Sequence, residues 1–408
     1  MALVKRRSSL SPEAELLARS ARLQGSTDSS WPIDVDWPGL AALAEREGAA
    51  TIMWDWLSRD GASGLPADVA VQWHKRAMVA TFQTLELERV LHEILDLFGR
   101  AGIEVMLLKG CGLAYDVYGS FLKRPMSDLD LLVRPVRAAE AWALLREEGW
   151  TWPGDRWPME LYRAHHHLPP LVPPSGGLGN STVEIHRALL PDGHPFHWPV
   201  EDVWSNARPV RVGGVRGGGG RRAVLAPSVQ DQLLHVCVHF AWSHEMRWGS
   251  WRAWRDVNAL IRRRDLSWAR FVTAARTARA TTCCYWTLRL ARDVTQAAIP
   301  DRVLRDLRPP RPELVLSRLE QHYLESLFPG GARCPSDALN HALWELGIAP
   351  GWSGHGAARP WSGVERWGSA RKTGRSTWVG QVVGRAQHAA AALGYVARLT
   401  VPRRLRRA

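Results

Sequence analysis

The sequence predicts an α+β protein, with a small β-sheet core held between N- and C-terminal helical regions. Three observations predict it. Apolar residues recur at helical spacing between Val71 and Phe98, strand and helix signals alternate from 103 to about 205, and helical periodicity returns from Ser228 to about Leu327. At 408 residues, with 46% hydrophobic and 23% charged side chains, the chain can bury a core, which excludes wholesale disorder. A typical domain of ~150 residues suggests two or three units.

Taken in order, residues 1–98 form the first helical region. Ser11-Pro12-Glu13 reads as a helix start, and Val79, Phe82, Leu85, Val90, Ile94 and Leu97 mark one face of a later helix. Gly99 and Gly102 end it. Residues 99–205 form the sheet core. Ile103–Leu108 and Asp128–Val133 are strands, Leu113–Tyr118 is a short helix after the Lys109–Gly112 break, and Pro135–Glu148 is a helix stopped by Gly149. His165–Val172 and Ser181–Arg187 read as two further strands. Residues 206–227 are a Gly/Arg-rich hairpin or linker, and 228–328 a second helical region. Residues 329–377, rich in Pro, Gly and Trp, lack periodicity and read as irregular. Residues 378–408 close the chain as a basic helix and tail.

Composition narrows the function classes. No run approaches the ~18 apolar residues of a membrane-spanning helix. The basic start, with Lys5, Arg6 and Arg7, has no apolar segment behind it, so a secretory signal is not expected. Five cysteines without a Cys-x-x-Cys pair argue against a disulfide framework and fit the cytoplasm. The net charge of +13 favours an anionic partner such as a nucleotide, a nucleic acid or a lipid surface. Arg supplies nearly all of that charge, and abundant Ala and Gly accompany it, which points to coding bias for much of the excess. The 22 Trp are scattered and read as packing residues.

The chemistry concentrates in the stretch Leu107–Val133. Asp128 and Asp130 alternate with apolar residues on one strand, so both point to the same face, with Cα atoms roughly 6.6 Å apart. Such a pair can grip divalent cations; two-metal phosphoryl-transfer sites hold ions about 3.5–4 Å apart between carboxylates. In Thr182-Val183-Glu184-Ile185-His186, Glu184 and His186 share the polar face. If this strand lies beside the first, Glu184 completes an acidic triad. The alternative is three solvated carboxylates; the glycine turn upstream and the acidic strand downstream favour the site.

Lys109-Gly110, Arg124, Asp128-Leu129-Asp130-Leu131-Leu132-Val133 and Val183-Glu184-Ile185-His186 together resemble the uncharacterised bacterial nucleotidyltransferases of the DNA polymerase β superfamily, relatives of the antibiotic nucleotidyltransferases. The resemblance covers roughly residues 80 to 265, including Leu233–His239 and Trp254-Arg255-Asp256-Val257. It implies a small mixed sheet flanked by helices, two Mg²⁺ ions (with Mn²⁺ as a substitute), and transfer of a nucleoside monophosphate from an NTP with release of pyrophosphate. By position, it implies Asp128 and Asp130 as metal ligands, Glu184 as the third carboxylate that holds the catalytic metal or activates the attacking group, and Gly110 with its neighbours Lys109 and Cys111 as the turn facing the triphosphate. Two departures stand out. Lys-Gly-Cys-Gly replaces the superfamily's Gly-Ser, and the stretch from Gly110 to Asp128 is longer than usual.

Several residues keep two readings. Arg124 is a phosphate fork or an ion pair with Asp116 or Asp128. His186 orients substrate or acts as a general base. Asp256 faces the acceptor as a base or pairs with Arg252 or Arg255. His235 and His239 have the i, i+4 spacing of a zinc pair but lack the glutamate of a zincin, so they read as packing residues. The Arg403–Arg407 tail could touch nucleic acid or anionic lipid. The acceptor, whether small molecule, sugar, peptide, protein or tRNA, is not legible. The rival class is a non-catalytic nucleotide- or RNA-binding protein on a degenerate fold of the same kind.

Overall fold

The computed structural model describes residues 10–23, 32, 34–60, 65–154, 159–174, 181–213, 222–328, 334–348 and 391–399. Its centre is one five-stranded mixed sheet in the order β3-β2-β1-β5-β4. The strands are β1 (Val105–Leu107), β2 (Asp128–Val133), β3 (Thr182–His186), β4 (Arg208–Val212) and β5 (Arg222–Ala226). β2 runs antiparallel to β1 and parallel to β3, while β5 runs parallel to β1 and antiparallel to β4. Helices pack around this sheet, as the α+β reading requires.

Alternation along the strands divides the sheet into two faces. Val105, Leu107, Leu129, Leu131, Val133, Val183 and Ile185 join one buried cluster with Val90, Ile94 and Phe98 of the long helix Ala67–Arg100 and with Leu145 of the helix Ala138–Glu147. Burying each of the larger side chains contributes about 1.5–3 kcal/mol before entropy is counted, and this fixes the register. The opposite face is apolar around Met106, Leu108 and Leu132, under Val203 and Trp204. Further along β2 and β3 the same face carries Asp128, Asp130, Glu184 and His186. A third cluster, mainly helical, gathers the Val229–Val238, Ser250–Leu260, Thr281–Thr295 and Glu313–Leu327 helices with the N-terminal helices.

Helix boundaries follow local chemistry. Ser11 caps the Pro12–Ser20 helix by accepting from the Ala14 N–H. Gly102 and Gly149, at φ 64° and 85°, take the left-handed turn that stops the helices before them. The long helix matches the expected face only in part. Val90 and Ile94 are buried, but Val79 and Phe82 are more than half exposed and Leu85 is also exposed. Periodicity marks an apolar stripe without showing what covers it.

Other expectations need correction. His165–Val172 is not a continuous strand; isolated bridges join His167 to His186 and Leu171 to Val183, because bends occupy 164–166. The short helix starts at Lys109, not Leu113, and runs to Asp116. The segment 329–377 is not wholly irregular, since Asp337–Ile348 is a helix that packs Trp344 and Ile348 on the helical core. The β4–β5 pairing favours the hairpin over the linker, with its tip at 214–221 outside the described residues. Residues 391–399 are helical, whereas the Arg403–Arg407 tail and the 349–377 part of the Pro/Gly/Trp-rich segment lie outside the described residues.

Candidate active site

Register builds the site. In the β2–β3 ladder Asp130 lies directly opposite Glu184, and Leu132 opposite His186. Paired residues of neighbouring strands project to the same side, so the two carboxylates meet, and Asp128 follows two residues along. One ligand atom each from Asp130, Glu184 and His186 lies within 4.8 Å of the others. His186 Nε2 stands 2.9 Å from Asp130 Oδ1 and 3.4 Å from Glu184 Oε2, wedged between them. Asp130 and His186 are buried, at 2% and 1% exposure, whereas Asp128 and Glu184 are half-buried.

Lys109 supplies the counter-charge. Its Nζ donates to Asp130 Oδ1 at 2.7 Å. The residue sits where β1 gives way to the Lys109–Asp116 helix, at φ 42°, an uncommon backbone state for a side chain of this size. Leu108 before it makes no side-chain capping hydrogen bond to the first backbone N–H groups of this helix. Gly112 makes the tight approach: a Cβ there would lie 2.4 Å from the Leu107 carbonyl oxygen. The glycines read as a break are therefore what lets a helix begin directly on the strand end.

The carboxylates divide electrostatically. For Asp130, burial works against ionisation, but the Lys109 ammonium and the His186 hydrogen bond outweigh it and hold the carboxyl well below the usual range. Glu184 is likewise brought down to about 2 against burial, by the His186 hydrogen bond and then by His167 and Lys109. Asp128 goes the other way, pushed up to about 6 by burial and by the neighbouring Asp130 charge. His186 and Lys109 are both raised: burial opposes their charge, and the surrounding carboxylates prevail. Three carboxylates thus face one ammonium and one imidazole. That surplus of hard oxygen donors fits Mg²⁺ or Mn²⁺, with Asp128, Asp130 and Glu184 the residues that would hold it.

The remaining sequence candidates fall elsewhere. Arg124 grips Asp256 with both nitrogens, Nε–Oδ1 and Nη2–Oδ2 each at 2.8 Å, and the Tyr118 hydroxyl donates to the same carboxylate at 2.9 Å. Arg124 and Asp256 are buried and satisfied. Their partners are one another, not Asp116 or Asp128 for the arginine, nor Arg252 or Arg255 for the aspartate. Asp116 is instead held by Arg208 and Gln232. Cys111 turns its thiol inward to the Leu108 and Asp130 carbonyls, and burial pushes it up to about 12, so only its backbone can serve a nucleotide. Gly110 lies in the first turn of the helix, against Met126. His239 packs on His244 and His235, and these are not among the ligand clusters of the described residues.

Two features escaped the sequence. A cleft of about 480 Å³ opens beside Asp128, lined by Ser127, Met126, Val79, Lys75 and Arg252. Arg252 is close enough to Asp128 to act on its ionisation. His167 Nε2 approaches Glu184 Oε2 at 3.7 Å from the opposite side to β2. An arginine from a helix over 120 residues away carries no local signal.

No curated protein and no solved structure matches the chain. A family model described as uncharacterised nucleotidyltransferase matches residues 34–296, a span that holds the whole sheet, the carboxylate face and Asp256. The chain belongs to that family of uncharacterised nucleotidyltransferases.

Proposed function

We propose that the protein transfers a nucleoside monophosphate from an NTP to an acceptor, in the manner of the DNA polymerase β superfamily, with divalent-metal assistance. The observation that carries this reading is the register that sets Glu184 opposite Asp130, with Asp128 on the same face. Bound Mg²⁺ would supply Lewis-acid polarisation of the phosphate oxygens, held by Asp128, Asp130 and Glu184.

The protein's own residues do the rest. Backbone N–H groups at the start of the Lys109–Asp116 helix, around Gly110 and Cys111, receive the β- and γ-phosphates. The acceptor's nucleophile attacks the α-phosphorus in line, the bond to the bridging oxygen breaks, and pyrophosphate leaves with the electron pair. Glu184 accepts the hydrogen bond of the attacking hydroxyl or amine, orients it and takes its proton as the bond to phosphorus forms. His186 holds Glu184 and Asp130 in place through Nε2. Lys109 offsets charge developing on the leaving group, an electrostatic contribution of the kind that dominates this chemistry. The cleft beside Asp128 receives the acceptor, with Arg252 and Lys75 on its wall. Buried free cysteines and an NTP donor suit the cytoplasm, and no described helix is long and apolar enough to cross a membrane.

A second reading, a non-catalytic nucleotide- or RNA-binding protein, draws on the Lys109 ammonium seated on Asp130, where a cation would bind. One experiment separates the two. Protein is incubated with α-labelled NTPs, Mg²⁺ and cell extract, and label on an acceptor is measured together with pyrophosphate. Transfer that disappears in Asp130→Ala supports the enzyme. Retention of nucleotide or RNA with no transfer by the wild type supports the binder.

A further inference from the structure

The tract His165-His166-His167 has a chemistry that nucleotidyl transfer does not use. One ring nitrogen of each of the three lies within 4.8 Å of those of the other two. The rings pack together, His165 stacked on His166 at 4.2 Å and His167 edge-on to His165 at 4.1 Å. His186 closes the group, 5.3 Å from His166 and 5.2 Å from His167. His165, His167 and His186 are each less than 10% exposed.

Two observations say that this is not a satisfied packing cluster. Nδ1 of His166 and Nδ1 of His186 are buried with no hydrogen-bond partner, although buried polar atoms are nearly always paired. In addition, His167 Nδ1 lies 2.7 Å from the Leu168 carbonyl, which can only accept, so Nδ1 carries the proton. That leaves the Nε2 lone pair facing Glu184 Oε2 at 3.7 Å, one acceptor against another. A cation between them resolves the conflict: two donors about 2.0–2.2 Å from a zinc-like ion stand roughly 3.3–3.8 Å apart at near-tetrahedral angles. A carbonyl fixing the tautomer of a ligating imidazole is also how such ligands are usually held.

The backbone around the tract is fixed in advance. The Arg187 guanidinium donates to the carbonyls of Tyr162 and His165, and the Arg187 and Ala188 N–H groups donate to the His166 carbonyl. The His165 Nδ1 contact to the His167 N–H is long, at 3.4 Å, and easily exchanged.

We propose that His165, His166 and His167, with Glu184 as an oxygen ligand at their edge, form a site for a borderline divalent transition metal, separate from the all-oxygen site on Asp128 and Asp130. Imidazole selects zinc, cobalt, nickel or iron, whereas Mg²⁺ prefers oxygen and binds imidazole poorly. Glu184 would then link the two sites. The inference does not require that the protein transfer nucleotides.

The test uses the full-length protein stripped of metal, titrated with Zn²⁺ and with Co²⁺ in the presence of excess Mg²⁺. The expected result is one equivalent of Zn²⁺ that Mg²⁺ does not displace, and Co²⁺ absorption bands of a tetrahedral nitrogen–oxygen site. His166→Ala and His167→Gln should each weaken Zn²⁺ by roughly tenfold or more, while Asp130→Asn should keep it. Nitrogen NMR of the wild-type histidines, needing no variant, should show the tract's ring nitrogens shifting with Zn²⁺. Zn²⁺ displaced by Mg²⁺, lost in Asp130→Asn, or bound without shifting those nitrogens would overturn the site.

Discussion

Two buried charge clusters lie within one molecule and look alike in a list of residue types. One is Asp130, Lys109, His186 and Glu184 with Asp128 beside them; the other is Arg124, Asp256 and Tyr118. In the second, one guanidinium meets one carboxylate through a bidentate pair, a phenol completes the shell and the Arg255 guanidinium lies over the phenol ring, so the single carboxylate is fully matched. In the first, three carboxylates face one ammonium and one imidazole, with the Arg252 guanidinium acting on Asp128 without an ion pair, and Ser127 next to Asp128 lines a cleft. A balanced cluster joins pieces of the fold: Arg124 follows the sheet-core turn, and Asp256 is on the Ser250–Leu260 helix. An unbalanced one suits the cation that we propose for it. Residue type names both clusters as candidates; the charge count separates them.

The largest expected effect breaks the balanced cluster. Asp256→Ala leaves Arg124 buried without its partner, and stability should fall by about 3–5 kcal/mol. Denaturant unfolding measures it. Arg124→Met leaves the Asp256 carboxylate buried without its bidentate partner, and it should cost less only because the Tyr118 hydroxyl still donates to that carboxylate and the Arg255 guanidinium acts on it from close by. If Arg124 were instead a phosphate fork, Arg124→Met would chiefly raise KM for the NTP and leave unfolding unchanged, and the comparison would fail. Next in size, Asp130→Asn should lower transfer by roughly 10²–10³-fold, the scale of deleting one strong electrostatic group at a reacting phosphate. Far-UV circular dichroism should be unchanged. Wild-type rates from that variant would remove the unbalanced cluster from the chemistry.

The comparison also shows how much was legible in advance. Asp-Leu-Asp-Leu-Leu-Val and Thr-Val-Glu-Ile-His each reveal a strand and its polar face, because alternation is a local property. That Glu184 stands opposite Asp130 is a matter of register between strands 54 residues apart, which alternation permits but does not select. Chain proximity points Arg124 to Asp116 and Asp128, while the real partner sits 132 positions away. The glycines after Lys109 look like a break, since sequence shows their freedom and not the Leu107 carbonyl that Gly112 has to clear. The Asp337–Ile348 helix was hidden by the Pro, Gly and Trp residues on both sides of it.

Within the unbalanced cluster, Asp128 and its neighbours should respond to pH with opposite sign. An unfolded aspartate ionises near pH ~4, whereas folding pushes Asp128 up to about 6, so the folded state holds the extra proton in between. Its penalty is absent below the unfolded value and is complete once pH passes the folded one. Asp128→Asn should therefore be more stable than the wild type by about 1–3 kcal/mol at pH 7. The two should converge near pH ~4, and the variant should lose transfer activity. Asp130 and Glu184 behave oppositely, because their lowered ionisation supports the fold above pH ~4 and is lost on acidification. Thermal unfolding across pH 4–8 reads both; a variant less stable than wild type at pH 7 would show that Asp128 is not under strain.

The smallest effect sharpens what the surplus charge is for. The Lys109 ammonium sits 2.7 Å from Asp130 Oδ1 and draws Glu184 and Asp128 electrostatically, so it partly occupies the electrostatic role of a divalent ion. Removing it should help the ion and harm the reaction. Lys109→Met should bind Mg²⁺ more tightly by up to about tenfold, or 1.4 kcal/mol, when titrated without nucleotide. Its transfer rate should nevertheless fall, because the charge that offsets the leaving pyrophosphate is gone. A fall in both would mean that Lys109 holds Asp130 in its ligating rotamer, making it part of the scaffold like Arg124. A gain in affinity with a loss in rate is the signature of an ammonium that stands in for the metal at rest and turns to the phosphates when the ion arrives.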